Sequence, residues 1–410
     1  MLKHNSVVLF LVGIIIILIC SEAMADETFV IPNESETLVT EMKKAMKKNG
    51  FRVSPDLKRV AYFSWAGGKQ SSVVDGQEGK QYYDIGFGTL IFSPDSKRVA
   101  YIAGTANKRF VVVDGQEGKQ YDGVYIHLTP WGNYGSAELI FSPDGKRVAY
   151  IAATGSKRFE YINGTGGKMF SVVDNQEGKQ HDFASSIIFS PDSKRVAYIA
   201  MTGSKFFIVV DGQEGKHYDY IESPIFSTDS KHVAYIAETG RKRFVVVDGQ
   251  EGKQHDFAGF PIFSPDNKRM AYIAEIGSKR YVVVDGQEGK QYYDIGVGSL
   301  IFSPDSKRVA YIATGTDGKI FSVVDGQEGK RYYDIDAGSL IFSPDSKRVA
   351  YIGKARSKMF VTVDGQEGNQ YDSVVLTGFG GRLVFDSTDS LHYLAVKDDK
   401  IYVVKRNLRR

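Results

Sequence analysis

One phrase repeated along the chain constrains the fold more than any other feature of the sequence. The residues Phe-Ser-Pro-Asp-Ser-Lys-Arg-Val-Ala-Tyr-Ile-Ala recur with small changes, and the steps between copies are 39, 49, 48, 37, 37, 39 and 40 residues. A period of this size is typical of repeat architectures. The sequence therefore predicts one stacked array over residues 51–404 rather than two or three separate domains. The central proline lies at Pro55, Pro94, Pro143, Pro191, Pro265, Pro304 and Pro344, with Thr228 in the fifth copy.

Each copy is predicted to form four short strands, named a to d. In the second copy, strand a covers residues 90–93, strand b 99–103 and strand c 110–113, and strand d begins at residue 119. Pro94 presets φ for the a–b turn, and the glycines of the phrase Asp-Gly-Gln-Glu-Gly suit the c–d turn. This acidic turn recurs at Asp75, Asp114, Asp174, Asp211, Asp248, Asp285, Asp325 and Asp364.

The polarity of these strands predicts an all-β fold. Strands b and c are apolar on both faces, as in strands covered on both sides, whereas strand d is polar like a solvent-facing edge. Four-stranded units of this kind stack face to face, so we predict a single β-propeller, with a β-solenoid as the alternative. Eight clear copies and a degenerate ninth over residues 383–404 give eight or nine blades. A strand at 28–31 would complete the ninth.

The first 25 residues are predicted to be an export signal. Residues 7–20 are almost wholly apolar, and Ala23-Met24-Ala25 has the small-x-small pattern of a signal-peptidase site. This pattern predicts a cleaved signal over 1–25 and a periplasmic or extracellular protein. An uncleaved anchor and a lipidated Cys20 are the alternatives.

The segments that flank the repeats are short. Residues 26–50 are predicted to hold the strand at 28–31 and a helix at 33–49, because Asn33 and Glu36 have the spacing of a capping box. Residues 405–410 form a basic tail.

Composition and missing motifs exclude several classes of function. The 52 basic side chains nearly balance 49 acidic ones, which disfavours a nucleic-acid partner. The single cysteine, Cys20, excludes a disulfide framework and a cysteine-ligated zinc site. Neither a Gly-x-Ser-x-Gly elbow nor a His-Glu-x-x-His motif is present, so we predict no catalytic residues, metal site or cofactor. His181 and His255, which replace a strand-d tyrosine, are predicted to be packed residues rather than ligands.

The cassette Ser-Pro-Asp-Ser-Lys-Arg-Val-Ala-Tyr resembles the WD40-like repeat of TolB-type β-propellers, which reads Ser-Pro-Asp-Gly-Lys. The third copy keeps that glycine as Gly145, and most other copies have serine. The resemblance covers residues 51–404 and implies the propeller fold. TolB-type proteins also carry an N-terminal α/β domain, whereas this chain has only residues 26–50 between the predicted signal and the first repeat. TolB's partners and role are therefore not carried over.

Two long loops carry the candidate binding residues. The link after the second copy runs over residues 123–135, and the b–c loop of the third copy over 158–166. Both belong to one end of the same blade, so they are expected to be neighbours. Aromatic side chains on loops held by a rigid scaffold are common in recognition sites, with packing of the rings on one another as the alternative. The candidates are Tyr125, His127, Trp131, Tyr134, Phe159 and Tyr161.

We therefore expect an exported, non-catalytic propeller scaffold that binds a protein partner through its variable loop rim. The alternative is a binder of carbohydrate or another small ligand, or an enzyme that acts on glycans. A structural envelope protein that uses the repeated charged turns is a third class, and membrane contact is expected only through the signal or a lipid anchor. The carboxylates of a glycan-acting enzyme would come from Glu138, Glu160, Glu222 and Asp336.

Overall fold

The computed structural model describes residues 51–86, 88–124, 126–128, 134–137, 139–155, 167–355, 357–374, 383–398 and 400–408. The predicted signal, the strand at 28–31 and the helix at 33–49 lie outside these ranges. The chain divides into two compact units, and the division falls between Val233 and Ala234.

Unit 1 contains the first four copies as antiparallel sheets in the order a-b-c-d, together with one strand of the fifth copy. Copies one and two contain strands Arg52–Val53, Val60–Ala66, Lys69–Val74 and Gln77–Tyr82, then Asp84–Ile85, Ile91–Phe92, Val99–Gly104, Arg109–Val113 and Gln116–Glu117. Copies three and four and the final strand are Gly123–Val124, Leu139–Phe141, Val148–Thr154, Lys168–Val173 and Gln176–Glu177, then Phe183–Phe189, Val196–Thr202, Lys205–Val210 and Gln213–Glu214, then Tyr220–Phe226.

Unit 2 contains copies six to eight as sheets with the same strand order. The rest of copy five and copy six contain strands Val233–Thr239, Lys242–Val247 and Gln250–Glu251, then Phe257–Phe263, Met270–Ile276, Lys279–Val284 and Gln287–Glu288. Copies seven and eight contain Asp294–Ile295, Ile301–Phe302, Val309–Thr314, Ile320–Val324 and Gln327–Glu328, then Asp334–Ile335, the 3-10 helix Ala337–Ser339, Ile341–Phe342, Val349–Ala355, Lys358–Val363 and Gln366–Glu367.

The residues after the eighth copy form one more sheet. Ser390–Lys397 pairs on one side with Ser373–Val374 and Val384–Ser387, and on the other side with Lys400–Asn407. These are strands in positions a, b and c, which is the degenerate ninth copy that the sequence predicts. Among the residues that the structure describes, no strand occupies position d of this sheet.

Strands b and c are buried as predicted. In the second copy, Val99–Gly104 is buried at all six positions, and Arg109–Val113 is buried at its three central positions. Strand d, Gln116–Glu117, is exposed. Apolar central strands with a polar outer strand explain why each copy forms a sheet whose faces are covered and whose edge meets solvent.

The c–d turn is shorter than predicted. Asp114 and Gly115 have φ values of 52° and 80°, as in the two-residue hairpin turn whose twist fits antiparallel strands. Strand d therefore begins with Gln116–Glu117, and a bridge from Arg109 to Tyr121 extends it. The predicted start at residue 119 was wrong because polar residues at a solvent-exposed edge look the same in a strand and in a turn.

Successive copies pack face to face through aromatic side chains. Tyr121 on strand d of copy two lies 6.3 Å from Tyr150 and 5.5 Å from Phe170 of copy three, measured between ring centroids. In unit 2, Tyr292 and Phe321 repeat this contact at 5.7 Å. Burial of one such ring contributes about 1.5–3 kcal/mol, so the contacts between copies form the core.

Candidate partner-binding site

The structure describes only part of the predicted binding loops. Outside the described residues lie four of the six candidates, Tyr125, Trp131, Phe159 and Tyr161. The first insertion forms a hairpin of Ile126–Leu128 and Tyr134–Ala137, in which Leu128 pairs with Tyr134. The hairpin brings the backbones of His127 and Tyr134 together. The proximity of the other four residues stays a prediction.

Each sheet has two ends that vary to different degrees. The repeat end holds the a–b and c–d turns, and the variable end holds the b–c hairpin and the links to the neighbouring copies. Arg98 after the a–b turn forms a 2.8 Å ion pair with Asp114 in the c–d turn, which confirms that both turns share one end.

The charges at the repeat end connect neighbouring copies. Arg98 Nη1 donates a 2.6 Å hydrogen bond to the Lys146 carbonyl of the next copy, and its guanidinium lies 5.5 Å from the ring centroid of Phe141. Arginines in five other copies make the same contacts with an acidic turn and the next copy. They are Arg59, Arg147, Arg195, Arg269 and Arg308. These near-invariant charges therefore stabilise the array.

A serine in the a–b turn adds a second link between copies. Ser306 has a positive φ of 64°, and its Oγ accepts a 2.9 Å hydrogen bond from the backbone N–H of Asp266 in the preceding copy. In the third copy, a Cβ on Gly145 would lie 2.6 Å from Asp95 Oδ1, so the carboxylate fills the space of the serine side chain. This link is the physical reason that most copies have serine at a position whose conformation favours glycine.

A lysine and an aspartate form a different link at the variable end. Lys108, directly before strand c, binds Asp122, the residue after the buried strand-d aromatic, at 2.6 Å. Asp122 also accepts a 2.7 Å hydrogen bond from the Gly155 N–H in the b–c hairpin of the next copy. The hydrogen bonds from Lys108 and Gly155 hold the pKa of Asp122 below its usual value. Four more copies have the same pair: Lys168–Asp182, Lys205–Asp219, Lys242–Asp256 and Lys358–Asp372.

A tyrosine replaces this aspartate in copies one, six and seven. The tyrosine has the same backbone position as the aspartate. The backbone N–H of Tyr293 donates to the carbonyl of Thr314, and the backbone N–H of Asp122 donates to the equivalent carbonyl of copy three. The replacing residues Tyr83, Tyr293 and Tyr333 are 61%, 62% and 66% exposed. In copies six and seven the lysine lies over the ring instead, with Lys279 Nζ 5.8 Å from the centroid of Tyr293 and Lys319 Nζ 3.6 Å from that of Tyr333.

Other exposed apolar side chains also lie at variable ends. In unit 1, Trp65 in the first b–c hairpin is 47% exposed. In unit 2, Ile276 in a b–c hairpin and Val297 in the following link are 45% and 56% exposed. At the described repeat-end turns, Leu57 is the one large apolar side chain that is comparably exposed. The variable ends therefore present apolar surface, whereas the repeat ends present paired charges.

The two strand-d histidines are packed, as predicted. His181 and His255 are each 1% exposed. His181 lies edge-on against Phe207, with ring centroids 5.3 Å apart, whereas His255 lies between the hydroxyls of Tyr272 and Tyr281 at 3.2 and 2.8 Å. Burial lowers the pKa of both imidazoles, and the carboxylates of nearby glutamates oppose this only in part.

Each unit has a groove between two neighbouring copies at the repeat end. The groove in unit 1 has a volume of about 380 Å³ and that in unit 2 about 440 Å³, and equivalent residues line both. Glu117 and Tyr150 line the first, and Glu328 and Tyr351 line the second. The hydroxyls of both tyrosines are buried and accept or donate no hydrogen bond within the described part of the chain.

Of the four carboxylates that the sequence nominates for glycan chemistry, only Glu222 and Asp336 lie among the described residues. Asp336 Oδ1 accepts a 3.0 Å hydrogen bond from the Gly338 N–H and so caps a short helix. Glu138 and Glu160 fall in the undescribed ranges. Within the described ranges, no three His, Asp or Glu side chains are grouped to hold a metal ion, and no helix has the length and hydropathy to span a membrane.

The strand topology defines an all-β chain of four-stranded, β-propeller-type blades. No model of a known protein family matches the sequence, and no curated protein matches it. Several solved structures are similar at low identity. A eukaryotic initiation factor is 12% identical, with a TM-score of 0.42 and coverage of 85% of this chain and 93% of that one.

Two further structures are also similar at low identity, and one of them is named as a β-propeller domain. TolB from Acinetobacter baumannii is 16% identical, with a TM-score of 0.28 over 56% of this chain and 62% of that one. The β-propeller domain of the Trilobed protease from Pyrococcus furiosus is 14% identical, with a TM-score of 0.33 over 70% of this chain and 96% of that one. Because these TM-scores are low, the assignment of the fold rests on the strands of this chain.

The exposed tyrosines Tyr83, Tyr293 and Tyr333 were missed by the prediction from sequence, which considered only the long insertions. A signal for them exists in the sequence. When the copies are superimposed at the buried strand-d aromatic residue, the next residue is aspartate in five copies and tyrosine in three. A change from charged to aromatic at one repeat position makes these three residues candidates for a binding contact, because aromatic residues are enriched among interface anchors.

Proposed function

We propose that this protein is an exported, non-catalytic β-propeller scaffold that binds a protein partner through the variable ends of its blades. The observation that supports this proposal most is the separation of the two surfaces. Exposed Trp, Tyr, Ile and Val side chains lie at variable ends, and the charges at repeat ends are used in contacts between copies. Aromatic groups on a rigid scaffold are typical of the anchor residues of protein interfaces.

The inserted hairpin supports the same surface. It belongs to the link between copies two and three, so it extends from the variable end of a sheet. The apolar segment at 7–20 supports export, and the Ser-Pro-Asp cassette supports a TolB-type repeat. Export, a TolB-type repeat and the absence of catalysis are all parts of this proposal.

A pull-down from cell-envelope extract tests the proposed surface. We expect a variant with residues 123–138 and 158–168 shortened to lose a partner that the intact chain retains, because the predicted aromatic anchors lie there. The matched control is Lys146→Ala combined with Lys194→Ala at the repeat end, where both side chains are 82% exposed. Equal recovery of the partner by the intact and shortened chains would contradict the proposal.

Binding of a small carbohydrate is a second candidate function, favoured by the two equivalent grooves. Their glutamates, glutamines and buried tyrosine hydroxyls offer the polar groups that orient a hydroxyl-rich ligand. A thermal-shift screen of mono- and disaccharides tests this, with Tyr150→Phe combined with Tyr351→Phe as the variant. We expect a bound sugar to raise the Tm of the wild type and to raise that of the variant less. An unchanged Tm with every sugar would contradict this function.

A further inference from the structure

We infer that Tyr293 and Tyr333, together with Lys279 and Lys319, form a binding site for an acidic, extended segment of the protein partner. The inference rests on the proposed function and names the chemistry of the partner. It concerns only unit 2, in which the two tyrosine–lysine pairs occupy the variable ends of successive copies.

The first argument is the loss of a stabilising contact. In five copies the lysine is neutralised by the aspartate that follows strand d. In copies six and seven a tyrosine stands in that position, and no carboxylate of the described residues forms an ion pair with Lys279 or Lys319. Both lysines therefore keep a positive charge that their counterparts share with a carboxylate, and this charge is available to an anionic ligand.

The second argument is that three nearby carboxylates are already paired with arginines. Arg280 binds Glu275 at 3.0 Å and Asp294 at 2.6 Å. Arg331 binds Asp317 at 2.9 Å. These three carboxylates are held by arginines and do not neutralise the lysines, and Asp334, which follows Tyr333, is exposed and forms no ion pair with Lys319 among the described residues.

The third argument is the geometry of each pair. The lysine covers one face of its tyrosine, so the ammonium is held in place, while more than 60% of the tyrosine stays exposed. A carboxylate can bind the ammonium while the neighbouring side chain or backbone packs on the ring. Since two such pairs recur one copy apart, a continuous segment with several carboxylates gains from both at once.

The experiment uses the full-length chain and fluorescein-labelled poly-L-glutamate as the probe, with binding followed by fluorescence anisotropy. The test variant combines Tyr293→Asp with Tyr333→Asp, which installs the residue that five sister copies have. We expect binding about tenfold weaker or more, because two aromatic anchors are lost and both lysines are neutralised. The Tm should not fall, since the aspartate restores the link to the lysine.

Two further variants separate this site from general charge attraction. Lys279→Ala combined with Lys319→Ala keeps both rings and removes the cations, and we expect a similar loss of affinity. Lys307→Ala combined with Lys347→Ala removes two repeat-end charges of the same unit, where the side chains are 81% and 82% exposed. We expect this control to bind as the wild type does.

Three results would overturn the inference: no binding of poly-L-glutamate by the wild type, equal losses in the test and control variants, or binding of polygalacturonate in place of poly-L-glutamate. The pull-down from envelope extract distinguishes failure of this inference from failure of the proposed function. If the partner is lost only from the loop-shortened chain and not from the Tyr→Asp chain, the function stands and the acidic-segment site is wrong.

Discussion

Replacing Arg308 with alanine is expected to lower the free energy of unfolding by roughly 2–3 kcal/mol. Its Nε donates to Asp325 at 2.8 Å, and its Nη1 donates to the carbonyls of Ser346 and Lys347 in the next copy at 3.0 and 2.9 Å. The guanidinium also lies 5.4 Å from the ring centroid of Phe342. The exposed ion pair contributes little by itself, so most of the loss should come from the contacts with the next copy.

The neighbouring lysine provides a matched control for this prediction. Lys307 stands beside Arg308 in the same cassette, but its side chain is 81% exposed and lies 4.0 Å from Asp305. We expect Lys307→Ala to change stability by less than about 0.5 kcal/mol. Urea denaturation of the full chain, followed by far-UV circular dichroism, measures both. Equal effects of the two substitutions would show that the arginine does not connect the copies.

The repeat made the blade predictable because the same physical constraint appears eight times. Strands b and c could be recognised from their unbroken apolar runs, and Val99–Gly104 is buried throughout. The start of strand d could not, since Gln116 and Glu117 are polar residues that suit an edge strand and a turn equally. Only the φ values of Asp114 and Gly115 separate the two possibilities.

The candidate site was less predictable for a different reason. Aromatic insertions stand out in a repetitive sequence, so Tyr134 and its neighbours were selected. The change from Asp122 to Tyr293 at one repeat position is only a single residue. The significance of this change depends on Lys279, fourteen residues earlier. In three dimensions this lysine contacts the ring of Tyr293, whereas its counterparts in five other copies bind a carboxylate. A pairing of that kind becomes visible only when the strands are in register.

Acidification below about pH 6.5 is expected to destabilise the protein through its two buried histidines. Burial lowers the pKa of His181 and His255 in the folded chain, whereas the unfolded chain binds protons near the ordinary value. The stability is therefore complete above pH 6.5 and falls as the pH drops toward each folded-state pKa. The slope is at most about 1.4 kcal/mol per pH unit for each histidine.

The groups around each histidine act in opposing directions. For His181, the carboxylates of Glu214 and Asp182 raise the pKa, and the ammonium groups of Lys179 and Lys168 lower it. For His255, Glu288 and Asp256 raise the pKa, and Lys253 lowers it. Desolvation is the largest effect at both sites, so the net direction is downward.

His181→Tyr is the sharpest test, because tyrosine occupies this position in six sister copies. Tyr121, for example, packs against Phe170 at 5.5 Å as His181 packs against Phe207 at 5.3 Å. We expect the variant to match the wild type or exceed it in stability at pH 8 and to exceed it clearly at pH 5.5, measured by urea denaturation at both values. A difference between the two proteins that does not change with pH would contradict the assignment.

His255 needs a second substitution, because its neighbour differs from those in the other copies. Tyr281 stands where six copies have phenylalanine, and its hydroxyl lies 2.8 Å from His255 Nδ1. A tyrosine at position 255 would crowd that hydroxyl, so His255→Tyr alone should destabilise at every pH. Combining it with Tyr281→Phe recreates the packing of the sister copies, and only this double variant should lose the pH-dependent component while keeping the stability measured at pH 8.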